Sequence, residues 1–175
     1  MKTYKKEKQQ TQTSTHTTSQ KQVFDFGSNQ ERIKQMQMLN SKEAGYDPII
    51  GRSLAKASLA EAGGRTEAGG QCYHYVANAI DSAVEKFLTG MHAYMAADQL
   101  AARKDLFVEV AASNLSSLPP GAIVVWGKGT SKSGHISISQ GDGKETSDFI
   151  GNQMTSHYGG ASARVFLPKG KNNEL

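Results

Sequence analysis

The pattern of apolar and polar positions divides the chain into a helical first half and a strand-rich second half. Ile33, Met36 and Leu39 recur at helical spacing, and Ser28 or Asn29 can cap a helix over 30–39 with Glu31 in its first turn. Tyr46-Asp47-Pro48 reads as a turn. A second helix is expected over 50–62, with Leu54, Ala57, Leu59 and Ala62 partly inward, ended by Gly63-Gly64. Beyond a loop over 65–70, Val76, Ile80, Ala83 and Phe87 repeat at helical spacing, which predicts a third helix from Cys72 as far as Leu88, broken at Gly90. A fourth helix is expected over 92–102, carrying Met95, Ala96 and Leu100.

From there the period changes to two. Residues 106–110 read as a strand, and Leu118-Pro119-Pro120-Gly121 as a sharp turn into a buried β-branched strand over 122–126. Gly134 opens another strand to Gln140, Gly141-Asp142-Gly143 makes a hairpin turn, and 144–149 returns. A last strand spans 163–168. Helices followed by a meander of strands give an α+β fold class, with N-terminal helices packed on an antiparallel β-sheet.

Residues 1–22 are rich in Lys, Gln and Thr and nearly devoid of apolar side chains. That composition cannot bury enough surface to offset ordering entropy, so a disordered polar tail is expected. Val23-Phe24-Asp25-Phe26 is a short apolar island. The organisation expected is a tail (1–22), an N-terminal extension with a short helix (23–49), a catalytic domain (50–168) and a C-terminal tail (169–175).

Composition narrows the function classes. The chain has 175 residues, a net charge of +4 and a single cysteine, so an internal disulfide is excluded. No apolar run is long enough for a membrane span. Residues 1–22 lack the apolar core of a Sec signal peptide. The mild basic balance suits anionic polymers, yet no basic–aromatic interleaving marks a nucleic-acid surface. One cysteine and scattered histidines have no zinc spacing, so neither a metal nor a cofactor is implied.

The chemistry concentrates at two places. Cys72 follows Gly69-Gly70-Gln71 and opens a helix, where unpaired backbone N–H groups and the positive end of the dipole favour a thiolate. His135 follows Gly134 and opens an alternating run, so it sits at the head of a strand. A helix-start cysteine and a strand histidine far apart in sequence form the pattern of a thiol hydrolase. His74, two residues beyond the thiol, points about 200° away on a helix and is a poor partner. His92 and His157 have no partner spacing and are read as structural.

Three stretches in order, Gly70-Gln71-Cys72, then Leu118-Pro119-Pro120-Gly121-Ala122-Ile123-Val124-Val125-Trp126, then Gly134-His135-Ile136-Ser137-Ile138, resemble the NlpC/P60 and CHAP cysteine peptidases. The family commonly has an acidic residue where this chain has Ala122. The resemblance covers about residues 50–168, with roughly sixty residues between the cysteine and the histidine. It implies a papain-like fold and a peptidoglycan amide hydrolase, an endopeptidase or an N-acetylmuramoyl-L-alanine amidase. The settings it implies are a phage lytic enzyme or a secreted antibacterial toxin.

In that frame Cys72 is the nucleophile and His135 its base. The third residue comes from the strand after His135; Asp148 is favoured, with Glu145 the alternative. The backbone N–H of Cys72 is the first oxyanion donor, and Gln71 or Tyr73 is expected to supply a second polar contact. The implied partners are the peptidoglycan substrate and, for a toxin, an immunity protein or a component of a secretion apparatus. The implied location is synthesis in the cytoplasm and action in the periplasm or cell wall after delivery or lysis. Two other readings stand beside this one: a papain-like effector acting on a host protein or lipid, and an inactive binding module.

Overall fold

The computed structural model describes residues 28–170. The expected tail over 1–22, the apolar island of Val23 to Phe26 and residues 171–175 of the expected C-terminal tail lie outside the described residues.

Helix α1 spans Asn29–Leu39 and is started by a full capping box between Ser28 and Glu31. Its inward positions differ from the expected apolar stripe. Ile33 is exposed, whereas Gln35 and Leu39 are buried. Gln35 wins the inner position through hydrogen bonds. Its Nε2 donates to the Asn114 and Ser117 carbonyls (2.6 and 3.1 Å), and its Oε1 accepts from Asn114 N–H at 2.9 Å.

Helix α2 runs Pro48–Ala62, two residues earlier than the apolar pattern suggests. Asp47 caps it by accepting from Ile49 and Ile50 N–H, and Pro48 occupies the first turn, where its missing donor costs nothing. Helix α3 spans Cys72–Ala83 and stops well short of Leu88. The residues beyond it follow an irregular path held by tertiary contacts. Tyr73 Oη donates to the Thr89 carbonyl at 2.6 Å, Gln99 brackets the Thr89 backbone from both sides, and Phe87 packs on Phe107. These contacts override local helix propensity. The expected fourth helix is a 3₁₀ turn, Ala93–Met95, followed by α4, Ala96–Ala102.

Six strands follow: β1 Phe107–Val110, β2 Ile123–Trp126, β3 His135–Ser139, β4 Lys144–Thr146, β5 Ile150–Asn152 and β6 Ala163–Pro168. They form one antiparallel sheet in the order β1-β6-β2-β3-β4-β5. The expected returning strand over 144–149 is cut short. It becomes β4, a bend over 147–149 and the separate strand β5.

Alternation along the strands gives the sheet two apolar faces. Ile123, Val125, Ile136, Ile138 and Phe166 pack with Val76, Ala79 and Ile80 of α3 and with Leu100 of α4. Val124, Trp126, Val165 and Leu167 pack with Leu39, Leu115 and Leu118 on the other side. The fold is therefore α+β, with helices on an antiparallel sheet covered on both faces. No helix among the described residues is long and apolar enough to cross a membrane.

Candidate active site

The entry into α3 is built from glycine. Gly70 adopts φ of +76°, a left-handed conformation that a side chain would strain. The turn it makes delivers Cys72 as the first residue of α3, half-buried and reduced. Gln71 is the N-cap but its side chain makes no capping hydrogen bond. The N–H groups of the first turn, that of Cys72 among them, have no partner within the helix.

His135 is the first residue of β3, opposite Trp126, and is buried. Gly134 before it has φ of +69°, and a Cβ there would collide with the Trp126 carbonyl. The imidazole Nε2 is 3.0 Å from Oε1 of Glu145, itself almost completely buried. The ring also hydrogen-bonds the Cys72 side chain. With Nε2 held by Glu145, Nδ1 is the ring nitrogen left for the sulfur.

Burial by itself pushes the His135 pKa down. The hydrogen bonds to Cys72 and Glu145, together with the negative charge of both, more than reverse it and raise the pKa to about 10. The ring is thus held as an imidazolium through neutral pH.

The structure does not bring Asp148 to His135. Asp148 lies in the bend between β4 and β5, where its Oδ2 accepts from Gly69 N–H at 2.7 Å and Gln71 N–H at 2.9 Å. The register gives the reason. Ser139 pairs with Glu145 and Ile138 with Thr146, so His135, Ser137, Ser139 and Glu145 share one face. Asp148 falls on the side of the α3 entry instead. The carboxylate contact expected of Asp148 is made by Glu145. The Gln71 backbone N–H is committed to Asp148, which leaves only its exposed side-chain amide for a substrate oxygen.

Two residues near His135 carry no signal in the sequence pattern. Gln153, just past β5, is buried and donates to Glu145 Oε2 at 2.9 Å. It fixes the carboxylate that faces the ring. His157 is buried with its ring centroid 6.4 Å from that of His135 and 6.0 Å from that of Trp126. Only the fold brings 153 and 157 back over the head of β3.

A groove of about 440 Å³ opens beside the thiol, lined by Cys72, His74, Asn78, Lys86, Met91 and Ser133 among others. His74 turns to Asn78 (3.4 Å) rather than to the thiol. His92 hydrogen-bonds Ser133 at 2.8 Å, tying the outer wall of the groove to the loop that leads into His135.

A helix that starts on a cysteine, packed on an antiparallel sheet whose strand starts on a histidine, defines a papain-like α+β fold. Solved structures similar to the chain include the type VI native effector–immunity complex Tae3–Tai3 from Ralstonia pickettii. The match has 21% identity and a TM-score of 0.51, and covers 66% of this chain and 96% of that one. The selenomethionine form of the same complex matches with 21% identity and a TM-score of 0.51, covering 65% and 97%. No protein-family model and no curated protein matches the chain.

Proposed function

We propose that this protein is a cysteine amidohydrolase that cuts amide bonds of peptidoglycan as an antibacterial effector. The observation that carries the reading is the contact chain from Cys72, which lines a groove, through His135 to buried Glu145. The motif resemblance to wall-cutting cysteine peptidases supports the substrate class. The fold likeness to a type VI effector supports the biological setting.

In this reading Cys72 Sγ, having given its proton to His135, attacks the amide carbonyl carbon. The oxyanion is met by the Cys72 N–H at the positive end of α3. The imidazolium then passes its proton to the leaving amine as the C–N bond breaks and a thioester remains. Water, deprotonated by His135, attacks the thioester; the carboxylate leaves and the thiol is restored. Glu145 keeps the ring oriented and balances its charge throughout. A producer of such an enzyme needs an immunity protein, and delivery through a secretion apparatus puts it in the periplasm of its target.

Digestion of purified sacculi, read by mass spectrometry of the released muropeptides, tests the reading. New free amine and carboxylate ends are expected with the native enzyme and none with Cys72→Ala of unchanged circular dichroism. Equal cleavage by the variant would overturn the assignment of the nucleophile. Intact sacculi with an alkylation-reactive Cys72 would overturn the substrate and move it to a protein or lipid amide.

A further inference from the structure

We propose that Asp148 is a positioning residue for the nucleophile, fixing the glycine turn that aims Cys72 and locking it to the hairpin that carries Glu145. The proposal rests on the reading of Cys72 as the nucleophile. It departs from the role of histidine partner that the sequence suggests for Asp148.

Four contacts join the two segments. Both N–H groups that flank Gly70 converge on the same carboxylate oxygen, at 2.7 and 2.9 Å. The Asp148 carbonyl accepts from Arg65 Nε at 3.1 Å, and Ile150 N–H donates to the Arg65 carbonyl at 2.8 Å. The loop over 65–71 is therefore stitched to 148–150 at both of its ends. Asp148 is buried to 3% exposure, and its second oxygen is 3.4 Å from Ser147 Oγ.

A carboxylate suits the place physically. It sits at the N-terminal end of α3, where negative charge is favourable, and hydrogen bonds to an ionised acceptor are stronger than neutral ones. The space around it is fitted: a Cβ on Gly69 would lie 3.2 Å from Oδ2. Asp148 also stands three residues after Glu145, so one short hairpin holds the histidine's partner and the cysteine's turn. The relative placement of the two halves of the site is thereby set by a single piece of backbone.

The distinction between holding a turn and balancing a charge is testable with isosteric variants of the full chain. An asparagine at 148 keeps an oxygen that can accept both N–H groups; an alanine keeps none. Amide hydrogen exchange over 69–71 and the rate of Cys72 alkylation by iodoacetamide are read, and neither needs a wall substrate. Asp148→Ala should speed exchange at Gly69 and Gln71 at least tenfold and slow alkylation about 10–100-fold, the scale of a small misplacement of a reacting group. Asp148→Asn should restore both to within a few-fold. Gly69→Ala should give a milder loss of the same kind, and with Asp148→Asn it decides the matter if the alanine variant does not fold. Asp148→Asn as damaging as Asp148→Ala, or native alkylation in Gly69→Ala together with Asp148→Ala, would overturn the proposal. Failure to cut sacculi with these alkylation results intact would count against the peptidoglycan reading alone.

Discussion

Glu145 pairs its backbone with Ser139 yet sends its carboxylate to His135, four residues back along β3. The side chain runs along the face that carries Ser137, a small residue that leaves room for it. Only a long acid can make that reach. Glu145→Gln should therefore cost about 10²–10⁴-fold in hydrolysis, the range seen when a charge-balancing acid is made neutral. Folding should survive, because the Gln153 amide that now donates to Oε2 can turn its own oxygen to the new amide. Proton NMR of the His135 ring should show its pKa falling in the variant, since a hydrogen bond and a charge that raise it are both weakened. An unchanged ring titration would refute the pairing.

The same pair makes stability depend on pH with a definite sign. His135 has a folded-state pKa raised to about 10, against about 6.5 for an unperturbed histidine. A group whose pKa is raised on folding contributes stability that is full below its unfolded value. That stability disappears as pH climbs through the folded value. Urea midpoints of the native protein should therefore fall between about pH 6.5 and 10 relative to those of His135→Gln. Parallel curves for the two proteins across that window would contradict the raised pKa.

How far the chain could be read in advance follows from where each feature is encoded. The cap at Ser28, the glycine entry to Cys72 and the strand head at His135 are local signals, written in residues next to the feature they set. The identity of the histidine's partner depends on the β3–β4 register. That register is regular at Ile138–Thr146 and Ser139–Glu145; the bend at 147–149 follows it and takes Asp148 and Ile150 to the 65–71 loop, to which both are hydrogen-bonded. The end of α3 is likewise set by Gln99 and Tyr73 acting on Thr89. Gln153 and His157 come from a polar stretch with no period, and only the return of the chain over β3 gives them meaning.

The buried amide of Gln35 offers a test of the α1 docking that is independent of catalysis. It answers two carbonyls and one N–H of the 114–117 turn. Gln35→Ala would strand those groups away from water, at about 1–3 kcal/mol. Gln35→Leu should be no better, because filling the space leaves the same backbone groups unanswered. Chemical denaturation measures both. A leucine variant as stable as the native protein would show that volume, rather than hydrogen bonding, holds α1.

The start of α2 packs so closely on the Pro119–Pro120–Gly121 turn that two residues there should behave as a coupled pair. The Tyr46 hydroxyl donates to the Pro120 carbonyl at 2.6 Å, and burial raises the phenol pKa to about 12, keeping it a donor at any physiological pH. A Cβ on Gly51 would run into both that hydroxyl and that carbonyl. Tyr46→Phe should cost about 1 kcal/mol for the lost hydrogen bond. Gly51→Ala should cost about 1–3 kcal/mol for overpacking. The double variant should cost less than the sum, since removing the hydroxyl removes the nearest of the three atoms the methyl strikes and leaves the Pro120 carbonyl and the ring Cε2. It should not return to the native value, because the Pro120 carbonyl still blocks the site. Strict additivity in urea denaturation would mean that the helix start shifts bodily to admit the methyl, and that the contact between Gly51 and Tyr46 does not fix where α2 begins.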